Sequence, residues 1–184
     1  GIAYSRNVVA ARAAATLGSG TAGAARALYA TWHALGIGRD TGVDVSGEVP
    51  GLAVDPTVQP WTPIDLANRS FGQGVAVTPL QLAASFAAMA NGGHRVTPHV
   101  VGAVNGQAVP VAPGATVLSS AVSAQLRDLM THVVTSVSYY HAGTYIPGYT
   151  VAGKTGTAQI WDSQTNDWVP NTFDFSFAGY VGTS

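Results

Sequence analysis

Apolar residues crowd the first third of the chain. An alanine- and valine-rich run from Ser5 to Leu17 stops at Gly18, and a second from Thr21 to Leu35 stops at Gly36. Both predict helices, the first opening on a polar cap, the second capped by Thr21. From Gly36 to Pro63 the period is lost and Gly, Pro and Asp accumulate, which predicts a long irregular segment of the kind that often carries function. Thr78-Pro79 puts a cap hydroxyl before a proline at the first helical position, so a helix is expected to about Ala90, ending at Asn91-Gly92-Gly93. Val96–Val104 and Gln107–Val111 flank Asn105-Gly106, a dipeptide suited to a type I′ hairpin turn. Ser119 or Ser120 caps a helix expected to reach about Tyr140, with Val122, Leu126, Leu129, Met130, Val133, Val134 and Val137 along one face. Tyr149–Trp161 and Phe173–Val181 read as strands joined by a polar loop, Asp162–Asn171.

Composition narrows what such a chain does. Its 184 residues suit one domain, and only 9 % are charged, far below the usual quarter, so the chain is ordered with a weakly charged surface or one covered by other protein. A net charge of −1 leaves no basic footprint for nucleic acid. The absence of cysteine removes disulfides, thiolate catalysis and Cys-based zinc sites. The five histidines are scattered; His94 and His99 lie near each other without a third ligand, so neither a metal nor any other cofactor is expected. The most apolar windows, Val8–Leu17 and Val75–Ala90, are interrupted by Arg12 and by Thr78, Pro79, Gln81 and Ser85, which argues against a membrane span. The chain opens without Met and stops just after an apolar run, so both ends are expected to continue in a longer protein.

One stretch carries two incompatible meanings. Gly148–Thr155 satisfies the phosphate-loop pattern G-x-x-x-x-G-K-[ST]. A phosphate loop needs turning backbone with a helix directly behind it. Here Tyr149, Thr150 and Val151 favour extended chain, and Gly156-Thr157-Ala158-Gln159 continues the strand. The competing reading is the triplet K-T-G, Lys154-Thr155-Gly156, built on the chain's single lysine. There the ammonium sits on a strand edge beside a nucleophilic serine, and Gly156 removes a side chain where substrate must lie against the strand. A solvated strand lysine explains the triplet equally well. Far upstream stands S-x-N, Ser5-Arg6-Asn7, which reads as a plain helix cap or as a serine and an asparagine serving the same site.

With these motifs in order, the chain resembles the transpeptidase domain of penicillin-binding proteins, most like the monofunctional class. "YSRNVVAARAAATLG" is similar to the segment around S-x-N, and "TGVDVSGEVPG" to the family's T-G-[IV]-D-L-P-G-E-x-x-G loop. "SFGQGVAVTPLQLAASFAAMANGG" is close to the G-Q-G-x-x-[VA]-T-P-L-Q block, and "VAGKTGTAQ" and "FDFSFAGYVG" resemble the paired strands that follow. The resemblance covers nearly the whole chain and implies an α+β fold of the penicillin-binding protein and serine β-lactamase type, an antiparallel sheet flanked by helices. The chain departs from the family in one respect. The family nucleophile lies in S-x-x-K; Val151 stands three residues before the single lysine, so no S-x-x-K can be written. Residues 1–184 are therefore expected to be the C-terminal portion of one transpeptidase domain, with the nucleophile segment and the final strand and helix outside it.

The resemblance implies a peptidoglycan D,D-transpeptidase that cross-links stem peptides through a serine acyl-enzyme and binds β-lactam antibiotics. By the same resemblance Ser5 relays protons, Asn7 binds a substrate amide and Lys154 supports the site electrostatically. Thr155 and Thr157 hold the terminal carboxylate, the Thr157 N–H completes the oxyanion hole, and Gly156 lets substrate approach. The remainder of the domain is the implied partner, along with division or elongation proteins, and the implied location is the extracytoplasmic face of the bacterial membrane, with an N-terminal anchor outside this chain. The alternative of the same fold is a non-catalytic β-lactam sensor or scaffold. The Gly72-Gln73-Gly74 loop reads as architectural, Trp161 as a possible wall of the groove. With two of the family's five strands, the fragment alone is expected to be marginally stable, with a sticky sheet edge.

Overall fold

The structure, a computed structural model, describes residues 1–111 and 114–183. Two Thr-Pro steps start helices in the same way. Helix α3 (Pro63–Ser70) opens on Thr62, whose side chain accepts from Asp65 N while the Asp65 carboxylate accepts from Thr62 N. Helix α4 (Pro79–Ala90) repeats this capping box with Thr78 and Gln81. Thr62-Pro63…Asp65 carries the same signature in the sequence as the expected helix start at Thr78-Pro79.

Helices α1 (Asn7–Ala15) and α2 (Gly20–Leu35) form where expected, and α2 ends on Gly36 in the left-handed conformation at φ 97°. Their caps differ from expectation: Arg6 and Ser19 occupy the N-cap positions without side-chain hydrogen bonds, and Thr21 lies inside α2. Ala14, Ala24 and Ala25 allow close approach of α1, α2 and α3 around Trp61 and Leu66. Trp61 is held there by its indole N–H donating to Val54 O at 3.1 Å, by the Trp32 ring at 5.7 Å and by the Arg69 guanidinium over its face at 4.9 Å.

The irregular segment between α2 and α3 is held by its own carboxylates. Glu48 accepts from the Thr41 hydroxyl and from Thr41 and Gly42 N–H, and Asp44 accepts from Val100 and Val101 N–H at 2.7 and 2.9 Å. Thus the residues of the T-G-V-D-V-S-G-E loop act in architecture. The Asp44 bonds also explain a short hairpin. Strands β1 (Ala103–Val104) and β2 (Gln107–Ala108) pair across Asn105-Gly106, both at positive φ as a type I′ turn requires. The expected longer strand from Val96 does not form, because Asp44 has taken the amides of Val100 and Val101.

These bonds hold both carboxyls below their ordinary values, Asp44 through Val100 N–H first and Glu48 through the Thr41 hydroxyl first. A depressed folded pKa contributes stability that is present above the unfolded value and lost as pH falls through the folded one. The protein is therefore expected to lose stability on acidification below the ordinary carboxyl values of 3.8 and 4.5. Asp44→Asn should flatten this acid limb in thermal melts recorded against pH; an unchanged limb would contradict the assignment.

Helix α5 (Ser120–Ser136) is capped by Ser119, whose side chain accepts from Val122 N. It does not continue to Tyr140. Val137 adopts φ −111°, ψ 108°, and a separate helix α6 (Ser138–Thr144) follows. The buried Val133, Val134 and Val137 lie at this break. Strands β3 (Tyr149–Asp162) and β4 (Asp167–Thr183) then form an antiparallel two-stranded sheet, with Lys154 opposite Ala178. The ladder runs further than expected, shortening the polar loop. Past an irregularity between Gln159 and Trp161, Trp161 pairs with Trp168 and their rings meet edge to face at 5.0 Å. Helix α5 packs on β3 and α4 on β4, giving the expected α+β arrangement.

Candidate active site

Residues 150–162 lie on β3 without a helix behind them, which is not the geometry of a phosphate loop. Gly153, which that pattern would assign to phosphate, has a different reason to be glycine. A Cβ there would stand 2.5 Å from the Phe177 ring and 2.8 Å from Ala178 O on β4. The residue is small because the strands close on it.

Lys154, next along β3, reaches across to the N-terminal segment. Its Nζ donates to Ser5 Oγ at 2.9 Å, joining residues 149 apart in sequence. It also donates to Thr155 O at 2.8 Å and to Thr155 Oγ1 at 3.4 Å. Partial burial pushes the Lys154 ammonium below its ordinary pKa, and the neighbouring Tyr140 opposes that shift.

Ser5 is aimed by its backbone. It sits in the left-handed region at φ 50°, a conformation that costs a non-glycine residue about 1–2 kcal/mol, and its N–H donates to Ile2 O at 2.9 Å. The strain falls on the residue whose hydroxyl meets Lys154. A plain helix cap does not fit: Arg6 holds the N-cap position, and Ser5 makes no capping bond to α1.

The other expected residues take more open positions. Asn7 is the exposed first residue of α1, two places beyond Ser5. Thr155 and Thr157 fall on one face of β3 by its period of two, half-buried and exposed respectively. Gly156 pairs with Ser176, whose Oγ lies 2.5 Å from where a Cβ at 156 would stand. Among the described residues β3 pairs only with β4, so its opposite edge carries backbone groups open to an extended peptide.

Two contributors were not anticipated. The Tyr140 hydroxyl lies 2.6 Å from Thr155 Oγ1. Hydrogen bonds with Thr155 first, then Tyr139, draw its phenol below the ordinary value, with burial opposing and the Lys154 charge assisting. Gln81 is wholly buried, and its amide donates to Arg39 O and Pro50 O, both at 2.8 Å, tying the irregular segment to α4. No sequence signal marks Tyr140, because its contact depends on the break at Val137. The Gln81 signal was present as a cap, but not its second function.

The Gly72-Gln73-Gly74 loop, both glycines at positive φ, borders a groove of about 880 Å³ between α4 and the β3–β4 tip. Arg69 Nη1 donates to Gly74 O at 3.3 Å, so the loop is held architecturally while it faces the groove. Trp161, 47 % exposed, lines the same groove.

The family described as "Penicillin binding protein transpeptidase domain" matches residues 1–184. The chain is 34 % identical over 154 residues to Stage V sporulation protein D of Bacillus subtilis, covering 79 % of this chain and 23 % of that protein. It is 35 % identical over 136 residues to Peptidoglycan D,D-transpeptidase FtsI of Escherichia coli K12, covering 72 % of this chain and 21 % of that protein. The structure superposes on penicillin binding protein 3 of Mycobacterium tuberculosis complexed with aztreonam with a TM-score of 0.80 at 30 % identity, covering 95 % of this chain and 40 % of that one. The chain thus spans under a quarter of the length of these curated relatives.

Proposed function

The chain belongs to the penicillin-binding protein transpeptidase domain family, and from that premise we propose that it forms one wall of the acyl-transfer site of a peptidoglycan D,D-transpeptidase. The observation that carries this reading is the 2.9 Å contact between Lys154 Nζ and Ser5 Oγ, which unites K-T-G and S-x-N. Two isolated triplets would have no reason to meet.

In the proposed reaction a serine from the remainder of the domain attacks the carbonyl carbon of the penultimate D-alanine. The C–N bond to the terminal D-alanine breaks as the ester forms. The proton lost by the attacking serine is taken up by the lysine that accompanies it and relayed through Ser5 to the leaving nitrogen, while the Lys154 ammonium, hydrogen-bonded to Ser5 Oγ, holds that hydroxyl in place and keeps its charge. The Thr155 and Thr157 hydroxyls hold the terminal carboxylate, with the Lys154 charge favouring it. The Thr157 N–H and a nucleophile-side N–H stabilise the oxyanion. Asn7 holds a peptide amide, and Gly156 leaves the β3 edge open to the substrate backbone. An amine of a second stem then attacks the ester, forming the cross-link and restoring the serine. A β-lactam enters the same first step and stays attached, because its leaving nitrogen remains tethered to the acyl group.

The remainder of the domain is the proposed partner of this chain's apolar surface. Phe175 is 78 % exposed, Val8 69 % and Phe177 45 %, more than a lone weakly charged domain leaves to water. The groove between α4 and the β3–β4 tip also offers room for a packed element. An extracytoplasmic location with an anchor elsewhere in the protein accompanies this reading; among the described residues no helix is long and apolar enough to cross a membrane. Division or elongation proteins are proposed as its further partners.

The test is covalent labelling of the full-length protein by a fluorescent penicillin. A stoichiometric adduct that unlabelled penicillin blocks is expected. No adduct on folded protein would overturn the reading, and an adduct without cross-linking activity would move the protein to the β-lactam-sensing class.

A further inference from the structure

We propose that Tyr140 is a positioning residue of the site, fixing the Thr155 hydroxyl so that its single proton faces the ligand carboxylate. This rests on the transpeptidase reading above. A threonine hydroxyl has one proton and two lone pairs. Thr155 Oγ1 has the Tyr140 hydroxyl at 2.6 Å on one side and Lys154 Nζ donating from 3.4 Å on the other. When Tyr140 also donates, both lone pairs are engaged and the proton has one direction left. Without Tyr140 the hydroxyl rotates freely and can turn its proton away from the ligand.

The surrounding chain is arranged to bring Tyr140 to this point. Had α5 continued through Val137 as one helix, residue 140 would stay on its axis. The break at Val137, φ −111° and ψ 108°, starts α6 in a new direction. The buried Val137 side chain pins the break. Within α6 the Thr144 hydroxyl donates to Tyr140 O at 2.7 Å, and the Tyr139 ring packs edge-on against Tyr140 at 4.3 Å. The Tyr140 ring is thereby oriented from its own element before it meets β3.

Tyr140→Phe in the full-length protein removes only the hydroxyl. The saturation constant for acylation by a penicillin should rise roughly tenfold, the order expected for one lost hydrogen bond to a binding group. The limiting acylation rate should change less than about threefold, because carboxylate binding and not bond making is disturbed. Thr155→Val should produce a loss of its own, and the double variant should be no worse than Thr155→Val alone, since Tyr140 acts through Thr155. A Tyr140→Phe protein within twofold of the unsubstituted one, or independent losses in the double variant, would overturn the proposal. Should the unsubstituted protein fail to acylate, the transpeptidase reading falls first. A crystal structure of the full-length protein still decides the role of Tyr140: its hydroxyl is expected within hydrogen-bond distance of Thr155 Oγ1, and a separation beyond it would overturn the proposal.

Discussion

Lys154→Met in the full-length protein is expected to slow acylation by a penicillin about 10²- to 10³-fold, the usual consequence of removing one preorganised electrostatic group from such a site. Methionine retains the length and apolar stem of the side chain while deleting the charge and the donors to Ser5 Oγ and Thr155 O. Folding stability should not follow activity downward. Partial burial already disfavours the Lys154 ammonium, as its lowered pKa indicates, so a neutral side chain is tolerated there. The expected pattern is a severe acylation defect in a protein whose melting temperature is unchanged or raised. Lys154→Arg should recover little, because a planar guanidinium does not fit contacts made at 2.8 and 2.9 Å around a compact ammonium. Comparable acylation rates for Lys154→Met and the unsubstituted protein would remove Lys154 from the site.

Gln81→Leu should show the opposite pattern, a loss of stability by at least about 3 kcal/mol. Gln81 is 0 % exposed and occupied at both ends of its amide. Its Oε1 accepts from Thr78 N at 2.9 Å, and its Nε2 donates to Arg39 O and Pro50 O. Leucine fills a similar volume but leaves a donor and two acceptors without partners, each at about 1–3 kcal/mol when buried. Gln81→Glu should be worse still, because it buries a charge and sets a carboxylate oxygen against the two carbonyls that Nε2 now serves. Gly51 contributes to the same contact: at φ 68° its missing Cβ would stand 2.4 Å from Ala76 O, so this turn closes only on glycine. Denaturant unfolding of the full-length variants measures the loss, and a change below about 1 kcal/mol would contradict the role assigned to Gln81.

The contrast between these residues shows what could be read without a structure. Thr78-Pro79 announced its helix through local chemistry, a hydroxyl for a free N–H and a proline with no N–H to lose. Asn105-Gly106 announced its turn through two residues that tolerate positive φ. The β-branched filling of Gly148–Thr155 was enough to separate a strand from a phosphate loop. Lys154 and Ser5 were each readable as candidates, but their meeting is a tertiary fact. It depends on a left-handed backbone at Ser5, which serine does not advertise. The break at Val137 was hidden for a related reason. Its neighbours keep helical spacing on both sides, and the turn pays off only in a contact with β3, far along the chain. Gln81 carried a legible capping signal that concealed its larger part in holding Arg39 and Pro50.

The central claim is that this chain supplies the Ser5, Lys154 and Thr155 wall of an acyl-transfer site while the attacking serine lies elsewhere in the same protein. Proteolytic mapping of the penicillin adduct by mass spectrometry tests it most directly. The account predicts a single penicilloyl group on a serine outside residues 1–184, followed three positions later by lysine. A penicilloyl group on any residue within 1–184, Ser5 included, would contradict it.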